Sequence, residues 1–286
     1  MKVLCVGQMG WDVTTINNQT EINYGGSVLH FSLAAALMGL KVDLLCYVNR
    51  NDWKNLLNEL DTIGIGVESV IDFYDTIKFH MDYDAELNFC EDKFFMEINS
   101  HEPVIYDHLT NQRTYDLYNI CETTPEQDCH TLDKIRSCCP TAKTSIQFHI
   151  DNLQKDKALY IAMLPQVDYI FMNLDEALYL SGENEIESAI IHLQTKIKNV
   201  LFITSHEKNY AIRKTEVISM NIFPAEDVVD PTGSGDCFAG GAIAGICVSD
   251  DLSVALRYGA ICSYFKLKDY SSKKILDILK IGDYYR

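Results

Sequence analysis

Cations are scarce in this chain. Against 41 Asp and Glu it sets 24 Lys and Arg, for a formal net charge of −17 at pH 7 over 286 residues. Such a field repels phosphate backbones and argues against nucleic acid as a partner. It also means that a site for a free nucleotide must be built locally, from backbone amides, a few cations or a metal. Long apolar runs are missing too: the longest, around Ala242–Val248, is far too short to span a bilayer. The opening residues, MKVLCVGQMGWD, read as a strand with a polar stop. They lack the charged, apolar and small-residue order of a signal sequence, so a cytoplasmic location without membrane contact is expected. There is no C-x-x-C pair, internal repeat, low-complexity tract or disordered linker.

What is present is ordinary for a folded protein: 47% apolar and 23% charged residues, enough for one large domain or one domain with a small appendage. The ten cysteines sit mostly inside apolar runs, where a thiol acts as a small buried hydrophobe. Cys121, Cys129, His130, Cys138 and Cys139 cluster in sequence, but their spacing fits no zinc pattern, and free thiols are expected. KVLCVG, KVDLLCYV, YDLYNIC, KTSIQFHID, VDYIFMN and NVLFITS read as strands, separated by helical stretches such as GGSVLHFSLAAALMGL and NDWKNLLNELDTIGI. Strand–helix alternation predicts a doubly wound α/β sheet with helices on both faces. The region 67–106 breaks this rhythm with short segments of period two (VESVIDFYD, IKFHMDYD, ELNFCE, KFFMEINS) and reads as a small antiparallel sheet inserted into a body made of 1–66 and 107–286.

One segment asks for a chemical explanation: DVVDPTGSGDCFAGGAIAG, residues 227–245. Its glycines fall at the mouth of a small-residue helix, where unpaired N–H groups and the helix dipole favour an anion. Gly233, Ser234 and Gly235 read as an anion cradle, and Asp236 places a carboxylate beside it. That acid is either a helix cap or a base aimed at a hydroxyl that attacks a phosphoryl group held by the amides.

DPTGSGDCFAGG closely resembles the D-T-x-G-A-G-D-x-F motif of the ribokinase-like (PfkB) sugar and nucleoside kinases, with Asp230, Thr232, Gly233, Gly235, Asp236 and Phe238 matching. GQMGWD, with Gly7 and Asp12, looks like the family's first-strand glycine and substrate-binding aspartate. YGGSVLHFSLAAALMGL resembles its GGxxxN helix, and NLDEALYLSG its N-x-x-E motif. The inserted strands sit where the family carries its lid. The resemblance implies a ribokinase-like fold with a small β lid, ATP as co-substrate, Mg²⁺, a sugar or nucleoside acceptor, and pairing of two copies through the lid.

Residue by residue, the resemblance makes Asp236 the catalytic base and Gly233, Ser234 and Gly235 the anion hole. Asn173 and Glu176 would stand near the phosphates and organise Mg²⁺ through water, although Glu176 also suits a first-turn helix acid. Asp12 would bind substrate hydroxyls or else form a turn; Gly25 and Gly26 would let the backbone pass close to the substrate, with Ser27 beside them. His30 stands in the usual Asn slot, as a substrate contact or as a buried histidine with a satisfied partner. TSHEKNY replaces T-x-G-x-x-G, keeping Thr204 and Ser205 as nucleotide contacts without the glycines. Asp230 and Thr232 match positions that hold a monovalent cation, K⁺, in part of the family; the C-terminal CSYFKLKDYSSKK lacks the usual glycine of that site. Glu122 and Asp151 follow strands on the expected active edge and are either substrate contacts or solvated loop acids. The expected reaction is γ-phosphoryl transfer to a hydroxymethyl group of a sugar or nucleoside. The alternatives are a kinase of a vitamin- or pyrimidine-type hydroxymethyl compound and a binding protein without turnover.

Overall fold

The apolar runs become the strands of one large sheet. A computed structural model of the chain describes residues 1–99, 103–109, 115–121, 123–224 and 226–283. β1 (Lys2–Val6) is followed by β2 (Gly10–Ile16), β3 (Gln19–Gly25), α1 (Ser27–Leu37) and β4 (Lys41–Leu45). β5 (Tyr47–Val48), α2 (Arg50–Thr62) and β6 (Ile71–Asp72) lead into β7 (Lys78–Tyr83) and β8 (Phe95–Glu97). Next come β9 (Leu117–Ile120), α3 (Pro125–Cys138), β10 (Lys143–Gln147), α4 (Ile150–Lys155), α5 (Lys157–Met163) and β11 (Tyr169–Asn173). α6 (Leu174–Ser181), α7 (Ile186–Gln194), β12 (Val200–Thr204), β13 (Lys208–Arg213) and β14 (Glu216–Asn221) precede α8 (Ser234–Val248), α9 (Leu252–Lys266) and α10 (Lys273–Asp283).

The sheet runs β14-β13-β12-β11-β10-β9-β1-β4. From β4 to β12 every pairing is parallel, and the β13–β14 hairpin closes one edge antiparallel. Both faces are covered, which is why the central strands read as continuous apolar runs. α1, α2, α8 and α9 bury Phe31, Trp53, Phe238 and Leu256 against one face. The other face packs Ile146, Ile170 and Leu201 against Leu132, Tyr160 and Leu180 of α3, α5 and α6. Parallel register brings the carboxyl ends of the strands to one edge: Asn173 pairs with Thr204, and Gln147 with Phe171.

Local chemistry sets the element ends. Asn173 and Glu176 form a reciprocal capping box at the start of α6, and Gly182 closes that helix in the left-handed conformation. Asp156 accepts from the Leu159 amide as the cap of α5, so NLQKDKALYIAML forms two helices, α4 and α5.

The second sheet differs from its expected composition. Its order is β3-β2-β7-β8, so residues 10–25, assigned above to the body, supply two of its four strands. Asn17 and Asn18, with φ of 51° and 62°, form the two-residue turn that a tight hairpin requires. VESVIDFYD contributes only β6, which pairs with β5. ELNFCE makes an isolated bridge, Tyr83 to Phe89, followed by a 3₁₀ turn. An aromatic cluster joins the second sheet to the body: Trp11 stacks on Tyr24 at 4.8 Å, and Trp53 of α2 lies 5.4 Å and 4.9 Å from the two rings.

Candidate active site

The Asp230–Asp236 loop is fastened at each step. The Thr232 amide donates to Asp230 Oδ1 at 2.9 Å. Gly233, at φ +72°, is the N-cap of α8, and a Cβ there would lie 2.3 Å from the His30 ring, so the position tolerates no side chain. Cys237–Gly245 on α8 are all buried. Phe238 meets the stacked rings of Phe171 and Phe202 edge-on, tying the first turn of α8 to β11 and β12.

Asp236 lies in that first turn, partly exposed, and its Oδ1 accepts from Gln147 Nε2 at 3.3 Å. Gln147 ends β10 and is itself held, its Oε1 accepting from Asn119 Nδ2 at 3.2 Å while Ser145 Oγ donates to Asn119 Oδ1 at 2.6 Å. A buried polar chain thus runs from the sheet interior to the carboxylate.

Asp12 projects from β2 of the second sheet and is 3% exposed. Its Oδ1 accepts from the Gly26 amide at 3.1 Å, and its Oδ2 lies 2.8 Å from His30 Nε2. A Cβ on Gly25 would fall 1.9 Å from Asp12 Cγ, so this glycine makes room for the carboxylate. The other His30 nitrogen, Nδ1, contacts Ser272 Oγ at 2.7 Å. His30 is 1% exposed and uses both ring nitrogens on protein groups. Ser27 begins α1, half-buried beside Gly26.

The second sheet is docked on this loop. Thr232 Oγ1 lies 3.0 Å from Tyr83 Oη and 3.4 Å from Thr14 Oγ1. Loss of water pushes the Tyr83 phenol well up; the Thr232 hydrogen bond opposes this, and the nearby carboxylates Asp230, Asp12 and Asp236 add to it. Three acids, Asp12 from β2 and Asp230 and Asp236 from one loop, therefore lie near the Tyr83 phenol.

At the carboxyl ends of β11 and β12, the Asn173 amide donates to Glu176 Oε2 at 2.7 Å, and the Glu176 amide donates to Asn173 Oδ1 at 2.8 Å. Glu176 is 3% exposed, whereas Asn173 is exposed. Thr204 sits half-buried at the end of β12 beside Asn173. The Ser205 hydroxyl donates to the Lys208 carbonyl at 2.7 Å and accepts from the Lys208 amide at 3.0 Å, so it closes its own turn. Asp151 and the segment 89–92 line an open cavity of about 570 Å³. Glu122 lies outside the described residues. A separate cavity of about 350 Å³, lined by Leu4, Tyr115, Tyr118 and Cys139, shares no residue with this site.

Gln147, Tyr83, Ser272 and Lys266 carry no motif, yet each touches this arrangement. Lys266 is completely buried, and its ammonium contacts Asp230 Oδ2 at 2.9 Å, the Asp230 carbonyl at 3.1 Å and the Asp269 carbonyl at 3.3 Å. The sequence does hold a sign of it: Ala255, Gly259, Cys262 and Lys266 recur at helical spacing along the buried stripe of α9, where a lysine is out of place.

The pattern of the pfkB family carbohydrate kinases matches residues 4–277, and the chain belongs to that family. It is accordingly a phosphotransferase of the sugar and nucleoside kinase class. A cytidine kinase of Thermococcus kodakarensis is 25% identical over 246 residues, spanning 82% of this chain and 84% of that protein. A Burkholderia thailandensis nucleoside kinase in complex with inosine superposes with a TM-score of 0.78 at 17% identity, covering 99% of both chains. An E. coli protein described as a ribokinase II, in complex with ATP and Mg²⁺, gives 0.78 at 16% identity over 100% of this chain and 99% of its own. Among the described residues, no helix is long and apolar enough to cross a membrane.

Proposed function

We propose that this kinase transfers the γ-phosphoryl group of ATP to a hydroxymethyl group of a nucleoside or sugar, with Asp236 as general base. The observation that carries the reading is the placement of Asp236. It stands in the first turn of α8, directly after the left-handed Gly233 cap, with one carboxylate oxygen fixed by Gln147. As the acceptor oxygen bonds to phosphorus and the bond to the ADP oxygen breaks, the hydroxyl proton passes to Asp236. The amides of Gly233 and Gly235 would receive charge on the transferring group, whereas the Ser234 amide, expected to share that task, donates to the Pro231 carbonyl at 3.2 Å and closes the loop instead. Fixing one oxygen through Gln147 settles the orientation of the base, which matters more than its basicity in a loose transition state.

Asn173, exposed at the end of β11, would stand toward a Mg²⁺ ion that arrives with the nucleotide, whereas Glu176 is buried with one oxygen held by the Asn173 amide and would act only through water. Such an ion keeps most of its waters and needs only one or two protein oxygens. It would neutralise charge on the β- and γ-phosphates. Thr204, paired beside Asn173, belongs to the same nucleotide edge, and the Ser205 turn would shape its rim in place of the missing glycines. Asp12, Gly25, Gly26 and Ser27 form the acceptor floor, with His30 holding Asp12 from behind. The lid over this floor excludes water and limits ATP hydrolysis. Ile22 and Phe95 are exposed on the lid at 61% and 54%, the surface through which two copies would pair.

The cytidine kinase relative and the inosine-bound neighbour favour a nucleoside as acceptor. The test is ADP release and phosphorylated product from Mg-ATP with cytidine, adenosine, inosine, ribose and fructose. The reading expects one nucleoside to exceed the sugars in kcat/KM. No product from any acceptor, together with a raised melting temperature from one of them, would replace the kinase with a binding protein.

A further inference from the structure

The resemblance places a monovalent cation beside Asp230, and the residues present do not fit one. The Lys266 ammonium itself lies against Asp230, with three oxygens around it: Asp230 Oδ2, the Asp230 carbonyl and the Asp269 carbonyl. An ammonium has three donors, and each finds a partner here. Ammonium and K⁺ carry the same charge and are close in size. Lys266 is completely buried and Asp230 is 1% exposed. A free cation beside them would face a like charge at contact distance and would have to displace the ammonium from its oxygens.

We infer that Lys266 is a tethered replacement for the monovalent cation, so that the enzyme needs no K⁺. Its effect reaches the active loop through one residue. Asp230 takes the ammonium on Oδ2 and the Thr232 amide on Oδ1, and Thr232 precedes the Gly233 cap of α8. The Val229 amide also donates to the Leu267 carbonyl at 2.8 Å, fastening the loop to the end of the same helix. Lys266 is therefore a positioning residue for Gly233–Asp236. The C-terminal turn is shaped for it: Ser271 and Ser272 adopt φ of 54° and 50°, which are strained values for serine, just after the Asp269 carbonyl that completes the ammonium site. No exchange with solvent ions is needed to set the loop.

The melting readout below is independent of the proposed reaction; the turnover readout rests on it. Melting temperature and phosphoryl transfer are measured in KCl, NaCl and choline chloride at equal ionic strength, for wild type, Lys266→Met and Lys266→Gln. Wild type is expected to melt within about 1 °C and turn over within about twofold across the three salts. A folded Lys266 variant is expected to melt lower in choline and to recover selectively in KCl, with turnover rising about tenfold or more. Wild-type activation above threefold by KCl over choline overturns the inference. So does selective stabilisation of wild type by KCl, even if no acceptor is ever phosphorylated. A folded variant of unaltered turnover with no preference among cations overturns the positioning role. If neither variant folds, the wild-type salt comparison decides alone.

Discussion

His30 Nε2 lies 2.8 Å from Asp12 Oδ2, and both groups are buried between the lid and the body. The histidine joins a lid strand to α1 and, through Ser272, to the C-terminal turn. Replacing it by alanine leaves a buried carboxylate and a buried hydroxyl each short of a partner. His30→Ala is expected to lower stability by about 2–3 kcal/mol and to raise acceptor KM more than ATP KM. Urea denaturation and two-substrate kinetics check this. Unchanged stability would mean that the pair is not formed in solution.

Gly25 makes room for the same carboxylate. With a Cβ 1.9 Å from Asp12 Cγ, Gly25→Ala forces Asp12 off its two hydrogen bonds. The expected result is a loss of about 1–3 kcal/mol and weaker acceptor binding, with Mg-ATP binding preserved. Calorimetric titration with each substrate separates the two effects.

Gln147 holds Asp236 at 3.3 Å. Gln147→Ala should lower kcat about tenfold or more with acceptor KM little altered, because the amide orients the base and contributes little ground-state binding. Gln147→Glu sets a second carboxylate beside the base. It should move the acidic limb of the pH–rate profile to higher pH by roughly one unit. A profile identical to wild type would remove Gln147 from the mechanism.

Away from the site, burial pushes the Asp128 carboxyl up from 3.8 to about 6, although hydrogen bonds from Tyr160 and Thr123 pull the other way. Between about pH 4 and pH 6 the folded protein therefore holds a proton that the unfolded chain has lost. The contribution of this group to stability falls as pH rises through that window and is level above it. Asp128→Asn has no such proton. Its unfolding free energy relative to wild type should rise by about 3 kcal/mol from pH 4 to pH 7. A pH-independent difference between the two proteins would contradict the shift.

The body sheet was legible because its strands are buried on both faces and its helices carry clear ends, such as Asn173 and Gly182. The β2–β3 hairpin was hidden. Residues 10–14 are nearly all buried while residues 19–22 are exposed, so neither strand shows period two. β2 also pairs with β7, far along the chain, and local pattern carries no trace of that register. At the site, the G-S-G-D turn announced itself through its glycines, of which Gly233 has a steric need, while a Cβ on Gly235 would meet open space. His30 stayed ambiguous because its two partners, Asp12 and Ser272, are 18 and 242 residues away. Lys266 was missed for a simpler reason: no motif marks a cation that is buried only once α9 meets the Asp230 loop.

The most direct test is phosphoryl transfer by Asp236→Asn, measured beside wild type with Mg-ATP and the preferred acceptor, with binding of both substrates followed separately. The account predicts a fall in kcat of about 10²–10⁴-fold with both substrates bound as in wild type. Turnover within about tenfold of wild type would contradict Asp236 as the base.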